Sequence, residues 1–437
     1  MKIYLPEKVK FIIDEIYSNG YEAFIVGGCV RDSILGIEPN DYDITTNAKP
    51  EIIKKIFNDY KIIDNGIKHG TVGVIIDKEV YEITTYRIEG EYEKNRRPKS
   101  VEFTSDIILD LKRRDFTINS MAYNDKVGLL DKFNGIADIK GKIVKTVGNP
   151  DDRFSEDGLR IVRAIRFSSK LGFEIENKTL KSIYKNADII ENISKERITD
   201  EFTKTILSEN PQNIILLYRT EILKKIGIHN YINEDIAELE KNLSILRECD
   251  FNIEDRLAML EYILGFNEIN NIDCKKIGKL EYYIKNIKSK NIINTLMYLK
   301  KVSIKSNTMI ECMILDGKEY DNSIKIKHIL KKIDKEILKK SLNLKKMYNK
   351  YSLRGKINSS ETNEKNKIID NCINDIIRIE NLGECYSIKN IDISGNDLVK
   401  LGYRGKDIGE RLELLLNEVI KNPELNKKNK LIKLLEN

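Results

Sequence analysis

The spacing of hydrophobic and polar residues along the chain changes near residue 150. Before that point, short apolar runs and alternating residues predict strands, including one over 22–26 and a hairpin that turns at Asp77–Lys78. Pro50, a residue favoured in the first turn, predicts a helix after it. Beyond about residue 150, apolar residues recur every three or four positions, which predicts helices almost throughout. The pattern therefore predicts an α+β head followed by a long helical region.

Polar and charged stretches interrupt this pattern. Residues 87–101 contain a single glycine and many charges, which predicts a surface loop, and residues 355–367 predict a linker or long loop. Between 321 and 350, ten lysines stand against three acidic residues. That excess predicts attraction for a polyanion such as RNA, although a lysine run is also typical of a solvated helix face.

The composition of the chain indicates the cellular compartment in which the protein works. No run approaches the roughly 18 uncharged apolar residues of a membrane-spanning helix, and charges break the apolar residues of the N-terminus, unlike a signal peptide. The six cysteines form no CxxC pair, which favours a reducing compartment over a disulfide framework or a zinc site. We predict a cytoplasmic protein with no membrane contact and no evident obligate protein partner.

Three carboxylates form the strongest candidate for a metal site. A strand period of two would place Asp41 and Asp43 on one face, and a neighbouring strand could present Glu82 beside them. Carboxylates this close repel each other unless a cation lies between them, and their oxygens suit Mg²⁺. The alternative is a turn or helix cap, which is the commoner role of two aspartates in this pattern.

Two glycines precede these carboxylates. Gly27 and Gly28 follow an apolar strand and open a predicted helix, so their N–H groups could face a phosphate, and Arg31 could contact the same group. The alternative is a plain strand–turn–helix junction in which the glycines serve the backbone alone.

Six motifs in a fixed order resemble those of the class II nucleotidyltransferases, and the chain is most like a bacterial CCA-adding enzyme of that family, which also includes poly(A) polymerases. The motifs run from about residue 22 to 210 and read GGCVRD, DYD, GIKHGTVGV, EITTYR, RRDFTINSMAY and SEDGLRIVRAIRF. The resemblance implies a polymerase-β-like nucleotidyltransferase head followed by an all-α neck, body and tail. The implied domains are a catalytic head at 1–150, a base-recognising neck at 151–215, a body at 216–350 and a tRNA-binding tail at 351–437.

The resemblance also implies roles for individual residues. The residues that bind Mg²⁺ and act in catalysis would be Asp41, Asp43 and Glu82. The nucleotide-binding residues would be Gly27, Gly28 and Arg31 at the triphosphate, Arg114 at the nucleotide, Asp115 or Asn119 at the ribose, and Asp157 and Arg160 at the base with Arg163 and Arg166 nearby.

Base choice follows from donor and acceptor patterns. Cytosine and adenine both present an amino donor beside a ring acceptor, so Asp157 accepting and Arg160 donating would select them over guanine and uracil. The alternative is a capped helix starting at Ser155, with Asp157–Arg160 as a surface salt bridge one turn apart.

The predicted function is transfer of CMP and AMP from CTP and ATP to the 3′ end of tRNA, with release of pyrophosphate by two-metal in-line attack. In related enzymes a loop at the position of 87–101 is linked to the switch from C to A, which favours complete CCA addition. His69 is interpreted as structural, because two-metal catalysis needs no general base. The alternatives are a poly(A) polymerase or A-adding enzyme on the same scaffold, a small-molecule nucleotidyltransferase and a non-catalytic RNA-binding protein.

Overall fold

The computed structural model describes residues 1–90, 92–93, 97–98, 100–225, 236–250, 252–265, 323–352 and 359–436. Its contacts divide the chain into two compact units, Met1–His229 and Asn230–Asn437. The predicted head and the whole of the predicted neck fall in the first unit. The division into head, neck, body and tail stays a prediction.

The first unit begins with alternating strands and helices and is mostly helical beyond about residue 150, as predicted, with one two-residue strand there. Its strands are β1 Ala23–Val26, β2 Ile44–Thr46, β3 Lys61–Ile63, β4 Thr71–Ile76, β5 Glu79–Thr85, β6 Arg87–Glu89, β7 Tyr92–Glu93, β8 Arg97–Pro98, β9 Val101–Phe103, β10 Met121–Asn124, β11 Gly128–Asp131, β12 Ile143–Val144 and β13 Glu174–Ile175. Its α-helices are α1 Glu7–Ser18, α2 Gly28–Ile34, α3 Pro50–Ile56, α4 Ile107–Lys112, α5 Gly135–Lys140, α6 Pro150–Glu156, α7 Leu159–Leu171, α8 Asn177–Asn186, α9 Lys195–Ile206, α10 Ile215–Arg219 and α11 Ile222–Lys225.

Among the described residues, one mixed sheet has the strand order β11–β10–β1–β2–β5–β4–β3. Strands β2 and β5 are parallel, with Ile44 opposite Ile83, and both of these side chains are buried. One position earlier in the same register, Asp43 lies level with Glu82. The pairing of two short apolar strands therefore brings together carboxylates that are about forty residues apart in the chain.

Several predictions of local structure are confirmed. The β4–β5 hairpin turns at Asp77 and Lys78, whose φ angles of 49° and 71° are those of a tight two-residue turn. Helix α3 starts with Pro50 at its first position. The strand predicted over 22–26 is observed as β1.

The two polar stretches differ from expectation. Within 87–103, the described residues pair as an antiparallel ribbon, β6 with β9 and β7 with β8, instead of forming a simple loop. We call these residues the ribbon. The predicted linker at 355–367 is wrong from Ser359 onward, where a helix runs to Asn381, and residues 353–358 lie outside the described residues. Both stretches lack a clear apolar face, so hydrophobic periodicity could not indicate their structure.

The described part of the second unit is helical. Its helices are α12 Ile236–Leu243, α13 Ile253–Gly265, α14 Ser323–Leu330, α15 Lys335–Ser352, α16 Ser359–Asn381, α17 Gly395–Lys400, α18 Lys406–Lys421 and α19 Lys428–Glu436. Two apolar clusters pack the helices from α14 onward, one around Leu338, Leu342 and Ile376 and one around Leu415 and Val419.

The lysine run at 321–350 is largely engaged within this unit. Lys327 is only 2% exposed and forms an ion pair with Glu384. Lys335 and Lys339 both pair with Glu380 in α16. Others in the run pair in the same way, namely Lys331 with Glu413, Lys340 with Asp255 and Lys346 with Asp370. These lysines therefore bind acidic partners of the fold, where the pattern had indicated either a solvated face or an RNA-binding one.

In the part of the chain that the structure describes, no helix is long and apolar enough to span a membrane. The four cysteines reported there are free and buried: Cys29, Cys249, Cys372 and Cys385.

Candidate active site

The predicted metal ligands lie just before β2 and in the middle of the neighbouring strand β5. Asp41 and Asp43 precede β2 instead of lying within it, so the expectation that they share the face of a strand is wrong. Asp43 is nevertheless fixed by the sheet, because its carbonyl accepts a 3.0 Å hydrogen bond from the N–H of Val26 in β1. The side chains of Asp41, Asp43 and Glu82 are all exposed.

The electrostatics of Asp43 reflect this crowding. Desolvation by the surrounding protein raises the pKa of the Asp43 carboxyl, the charges of Asp41 and Glu82 raise it further, and Arg114 opposes them. A cation near these carboxylates would relieve the repulsion, and the oxygen donors suit a hard divalent ion. Among the described residues, however, no group of three His, Cys, Asp or Glu side chains is arranged to hold a metal ion. The metal site therefore stays a prediction that rests on donor chemistry and strand register.

Gly27 forms the turn between β1 and α2. Its φ of +82° is one that side chains rarely adopt, and a Cβ at this position would lie 3.0 Å from Nη1 of Arg114. Arg114 thus packs directly against the turn, with Nη2 3.4 Å from a carboxylate oxygen of Asp110. The glycine is required both by the backbone and by the arginine beside it.

Arg31 is engaged inside the protein. Its side chain is buried, with Nε 2.8 Å from Oδ1 of Asp32 and Nη1 donating to Oδ1 of Asn119. The guanidinium of Arg31 is therefore not exposed, as the expected contact with a triphosphate would require. Arg31 instead links the glycine turn to the residues after Arg114.

Asp115 is a half-buried acceptor at the centre of the site. It accepts from Nε and Nη2 of Arg163 at 2.9 and 2.6 Å and from Nδ2 of Asn119 at 3.1 Å. Burial alone would raise the pKa of Asp115, but the charge of Arg163 and these hydrogen bonds lower it to about 2. Its carboxylate is therefore charged at any ordinary pH.

The proposed base-reading residues lie at a break between two helices. Asp157 follows the end of α6, and α7 starts only at Leu159, so the prediction of a helix beginning at Ser155 is wrong. Gly158 lies at this break in close contact with Ile189, because a Cβ there would come within 2.5 Å of Cγ2 of Ile189. The chain thus needs a glycine beside Asp157 for close packing.

Asp157 and Arg160 each have partners other than one another. Asp157 accepts from both Nη atoms of Arg197, at 3.2 and 2.8 Å, and Arg160 pairs with Glu156 and donates to the carbonyls of Arg153 and Arg113 at 3.1 Å. The alternative of a surface salt bridge between them is therefore not what the structure shows. Each side chain is instead oriented by a separate set of contacts.

The next two arginines of α7 meet a buried acid of α9. Arg163 and Arg166 both donate to Glu201, which is only 3% exposed. This pairing explains why Glu201 is buried.

A cavity of about 400 Å³ collects many of these residues. Five predicted residues line it: Arg114, Asp115, Asp157, Arg160 and Arg163. Of the other candidates, the described lining does not include Gly27, Gly28, Arg31, Asp41, Asp43, Glu82, Asn119 or Arg166. Six arginines and three carboxylates line the cavity in all, which makes it electropositive and suited to an anionic ligand.

Sequence reasoning missed about half of the lining. These residues are His69, Arg87, Glu89, Arg113, Leu159 and Arg197. Arg113 and Leu159 stand inside motifs quoted above, so their position next to predicted residues was an available signal. His69 is exposed on the cavity wall, which does not support its interpretation as a purely structural residue.

Comparison with known proteins places this site in a family. Residues 23–145 match the family model described as "Poly A polymerase head domain", and residues 172–232 match "Probable RNA and SrmB- binding site of polymerase A". The CCA-adding enzyme of Limosilactobacillus reuteri (strain DSM 20016) is 47% identical over 298 residues, which cover 68% of this chain and 70% of that protein. The chain belongs to the CCA-adding enzyme family.

Two further comparisons agree with this assignment. The CCA-adding enzyme of Ligilactobacillus salivarius (strain UCC118) is 44% identical over 243 residues, covering 55% of this chain and only 58% of that protein. The structure of the Bacillus stearothermophilus CCA-adding enzyme in complex with CTP matches with a TM-score of 0.69 at 28% identity, covering 98% of this chain and 95% of that one. The predicted family and the α+β fold class with a long helical remainder are both confirmed.

Proposed function

We propose that this chain adds C, C and A to the 3′ end of tRNA from CTP and ATP and releases pyrophosphate. The observation that supports this most directly is the shared cavity, where Asp157 and Arg160 line the same electropositive space as Arg114 and Asp115. Family membership supports the same reaction, since the relatives at 44% and 47% identity are named CCA-adding enzymes.

In this proposal the cavity residues divide the recognition of one nucleotide. Arg114, packed on the Gly27 turn and close enough to act on the charge of Asp43, faces the phosphates. Asp157 accepts from the amino group of cytosine or adenine, and Arg160 donates to the ring acceptor beside it. Each oxygen of Asp157 accepts one hydrogen bond from Arg197, and Oδ1 also accepts one from the N–H of Leu159 at 3.1 Å. A carboxylate has about four lone-pair sites, so Oδ2 still has capacity for a base.

Selectivity without a nucleic-acid template follows from this arrangement. Uracil and guanine would turn a carbonyl toward Asp157, which leaves two acceptors facing each other. A buried mismatch of this kind costs on the order of 1–3 kcal/mol. The protein itself would then act as the template for C and A.

The carboxylates of Asp41, Asp43 and Glu82 would hold Mg²⁺. The ion would supply activation of the RNA 3′-hydroxyl and stabilisation of the charge on the leaving pyrophosphate. The protein's part is to bring Asp43 level with Glu82 through the β2–β5 register, with Asp41 two residues earlier in the chain, and to keep Arg114 beside Asp43.

The tRNA is expected to bind through its shape and phosphates, because a protein that extends many tRNAs cannot depend on their base sequence. Residues 393–412 resemble the tail of tRNA-handling family members, and two exposed cations there, Arg404 and Lys406, are suited to phosphate contacts.

The deciding experiment supplies three tRNA substrates that end before CCA, after one C and after CC. Each is incubated with CTP, ATP or both, and the products are sequenced. The proposal expects CC from CTP alone, a single A on the CC-ended substrate, and termination after A. Addition of A alone identifies an A-adding enzyme, and a long A tail identifies a poly(A) polymerase; either result would contradict the proposal.

A further inference from the structure

Phe167 lies where three arginine side chains of the first unit converge. It is only 4% exposed, and the guanidinium carbons of Arg166, Arg31 and Arg163 lie 3.9, 5.2 and 5.4 Å from the centroid of its ring. A cation within about 6 Å of a ring centroid is attracted by the quadrupole of the ring. One phenyl ring therefore contacts arginines that come from two different helices, α2 and α7.

The same arginines are joined by hydrogen bonds on the other side. Arg31 donates to Asn119, Asn119 donates to Asp115 at 3.1 Å, and Asp115 accepts from Arg163 at 2.6 Å. This chain of hydrogen bonds begins at Arg31 and ends at Arg163, and both of these arginines contact the Phe167 ring. The result is a closed circuit of five residues that connects the glycine turn with the cavity wall.

Arg166 lies outside this circuit but packs on the same ring, where it faces the like charge of Arg163. Burial lowers the pKa of Arg166 and the nearby charge of Arg163 lowers it further, which shows that these cations repel one another, while Glu201 offsets part of the repulsion. The ring adds attraction at the point of closest approach. Its own orientation is fixed by Phe116, whose ring packs edge-on at 5.6 Å and 76°.

We propose that Phe167 is a positioning residue for nucleotide binding, which keeps Arg163 on the cavity wall in register with Arg31 behind the glycine turn. The inference rests on the proposed function, since it assigns the cavity to the incoming nucleotide. Phe167 is not part of the cavity lining, so it acts through Arg163 and not by touching the substrate.

The test replaces the ring by an aliphatic side chain. Phe167→Leu should raise KM for CTP and ATP alike by about three- to thirty-fold, the range expected for losing partly buried cation–π contacts, while kcat falls by a smaller factor. The dissociation constant of CTP, measured without tRNA, should rise by the same factor as KM. Assays are run well below the unfolding temperature of each variant.

Phe57→Leu is the matched control. Phe57 is fully buried in the same unit and packs edge-on against Tyr60 at 6.2 Å and 67°, and within the described chain no guanidinium is found over its ring. Its replacement also removes a buried ring and an aromatic pair, so it should lower the unfolding temperature while leaving both KM values unchanged.

Two further variants keep the inference falsifiable. Phe167→Tyr retains the ring and should restore KM toward the wild-type value, and Phe167→Met serves in place of Leu if that variant does not fold, because its flexible side chain fills irregular space. Wild-type KM in the ring-less variants, or an equal rise in Phe57→Leu, would overturn the inference. A wild-type enzyme that does not extend tRNA would instead refute the proposed function, so the two failures are distinguishable.

Discussion

At the scale of single residues, the charges of the cavity are set by partners from distant parts of the chain. Asp157 forms an ion pair with Arg197, which lies 40 residues later in the chain. Asp115 forms one with Arg163, which lies 48 residues later. Because the pKa of Asp115 is held at about 2, its charge is constant across the working pH range. Charges oriented in advance recognise a ligand without having to rearrange when it binds.

Asp43 offers the first prediction at this scale. If it binds the catalytic metal, Asp43→Ala should abolish transfer of both C and A, a loss of at least about a thousand-fold, because the charge stabilisation at the reacting phosphate disappears. Binding of tRNA should stay within a few-fold of the wild type. Asp59→Asn, which removes an exposed carboxylate from the same unit, is the control. Near-normal turnover in Asp43→Ala, or in Asp41→Ala, would remove the metal assignment.

Asp157 offers the second. Asp157→Asn keeps the shape of the side chain but can donate as well as accept, so it should use UTP about ten- to two-hundred-fold better relative to CTP. The measurement is kcat/KM for each nucleotide on a tRNA that lacks its end. Asp152→Asn, an exposed change within α6, should leave the ratio unaltered. Unchanged rejection of UTP in Asp157→Asn would mean that another residue selects the base.

At the scale of elements, the ribbon is tied to the rest of the site by an ion-pair network. Glu89 in β6 pairs with Arg87 at 2.8 Å and with Arg113 at 3.2 Å, and Arg113 also pairs with Asp110 of α4 at 2.8 Å. Three of these residues, Arg87, Glu89 and Arg113, line the cavity. A change in the ribbon therefore has a direct route to the nucleotide.

The ribbon can be shortened without removing this network. Replacing residues 91–99 by Asn-Gly retains β6 and β9, and we expect CC addition within a few-fold of the wild type but a loss of at least about ten-fold in addition of the final A. The assay compares single additions to substrates ending in C and in CC. As a control, Asp77–Lys78 is replaced by Asn-Gly in the β4–β5 hairpin, where both positions already have positive φ. Equal losses in both steps would show that the ribbon acts only structurally.

The limits of sequence reasoning are clearest at this same scale. Period-two and period-three-to-four patterns predicted β1, the Asp77–Lys78 turn, α3 and the change to helices, because each depends on neighbours along the chain. They could not predict that Asp157 pairs with Arg197 or that Arg31 turns inward to Asn119, because those contacts depend on how separate elements pack. The motif resemblance, not the periodicity, brought Arg114 and Asp157 to one site.

At the scale of the whole molecule, the distribution of cations matters more than the net charge of +6. Lys335 and Lys339 are paired with Glu380 of the same unit, so the fold already compensates their charges. Arg404 and Lys406 are exposed around Gly405, at the start of α18. The two sets of residues carry equal charge but differ in their availability to phosphates.

This difference leads to the last prediction, in which the salt dependence of tRNA binding separates the two sets. Each lost phosphate contact should reduce the slope of log K against log salt by about 0.7–0.9, so Arg404→Ala with Lys406→Ala should reduce it by about 1.4–1.8 and weaken binding most at low salt. Lys335→Gln with Lys339→Gln removes the same two charges and should leave the slope unchanged, because those ammonium groups face Glu380. Equal slopes for the two double variants would mean that RNA responds only to the overall charge of the protein. A reduced slope in the lysine variant alone would place the RNA on α15 and would return the run at 321–350 to an RNA-binding role.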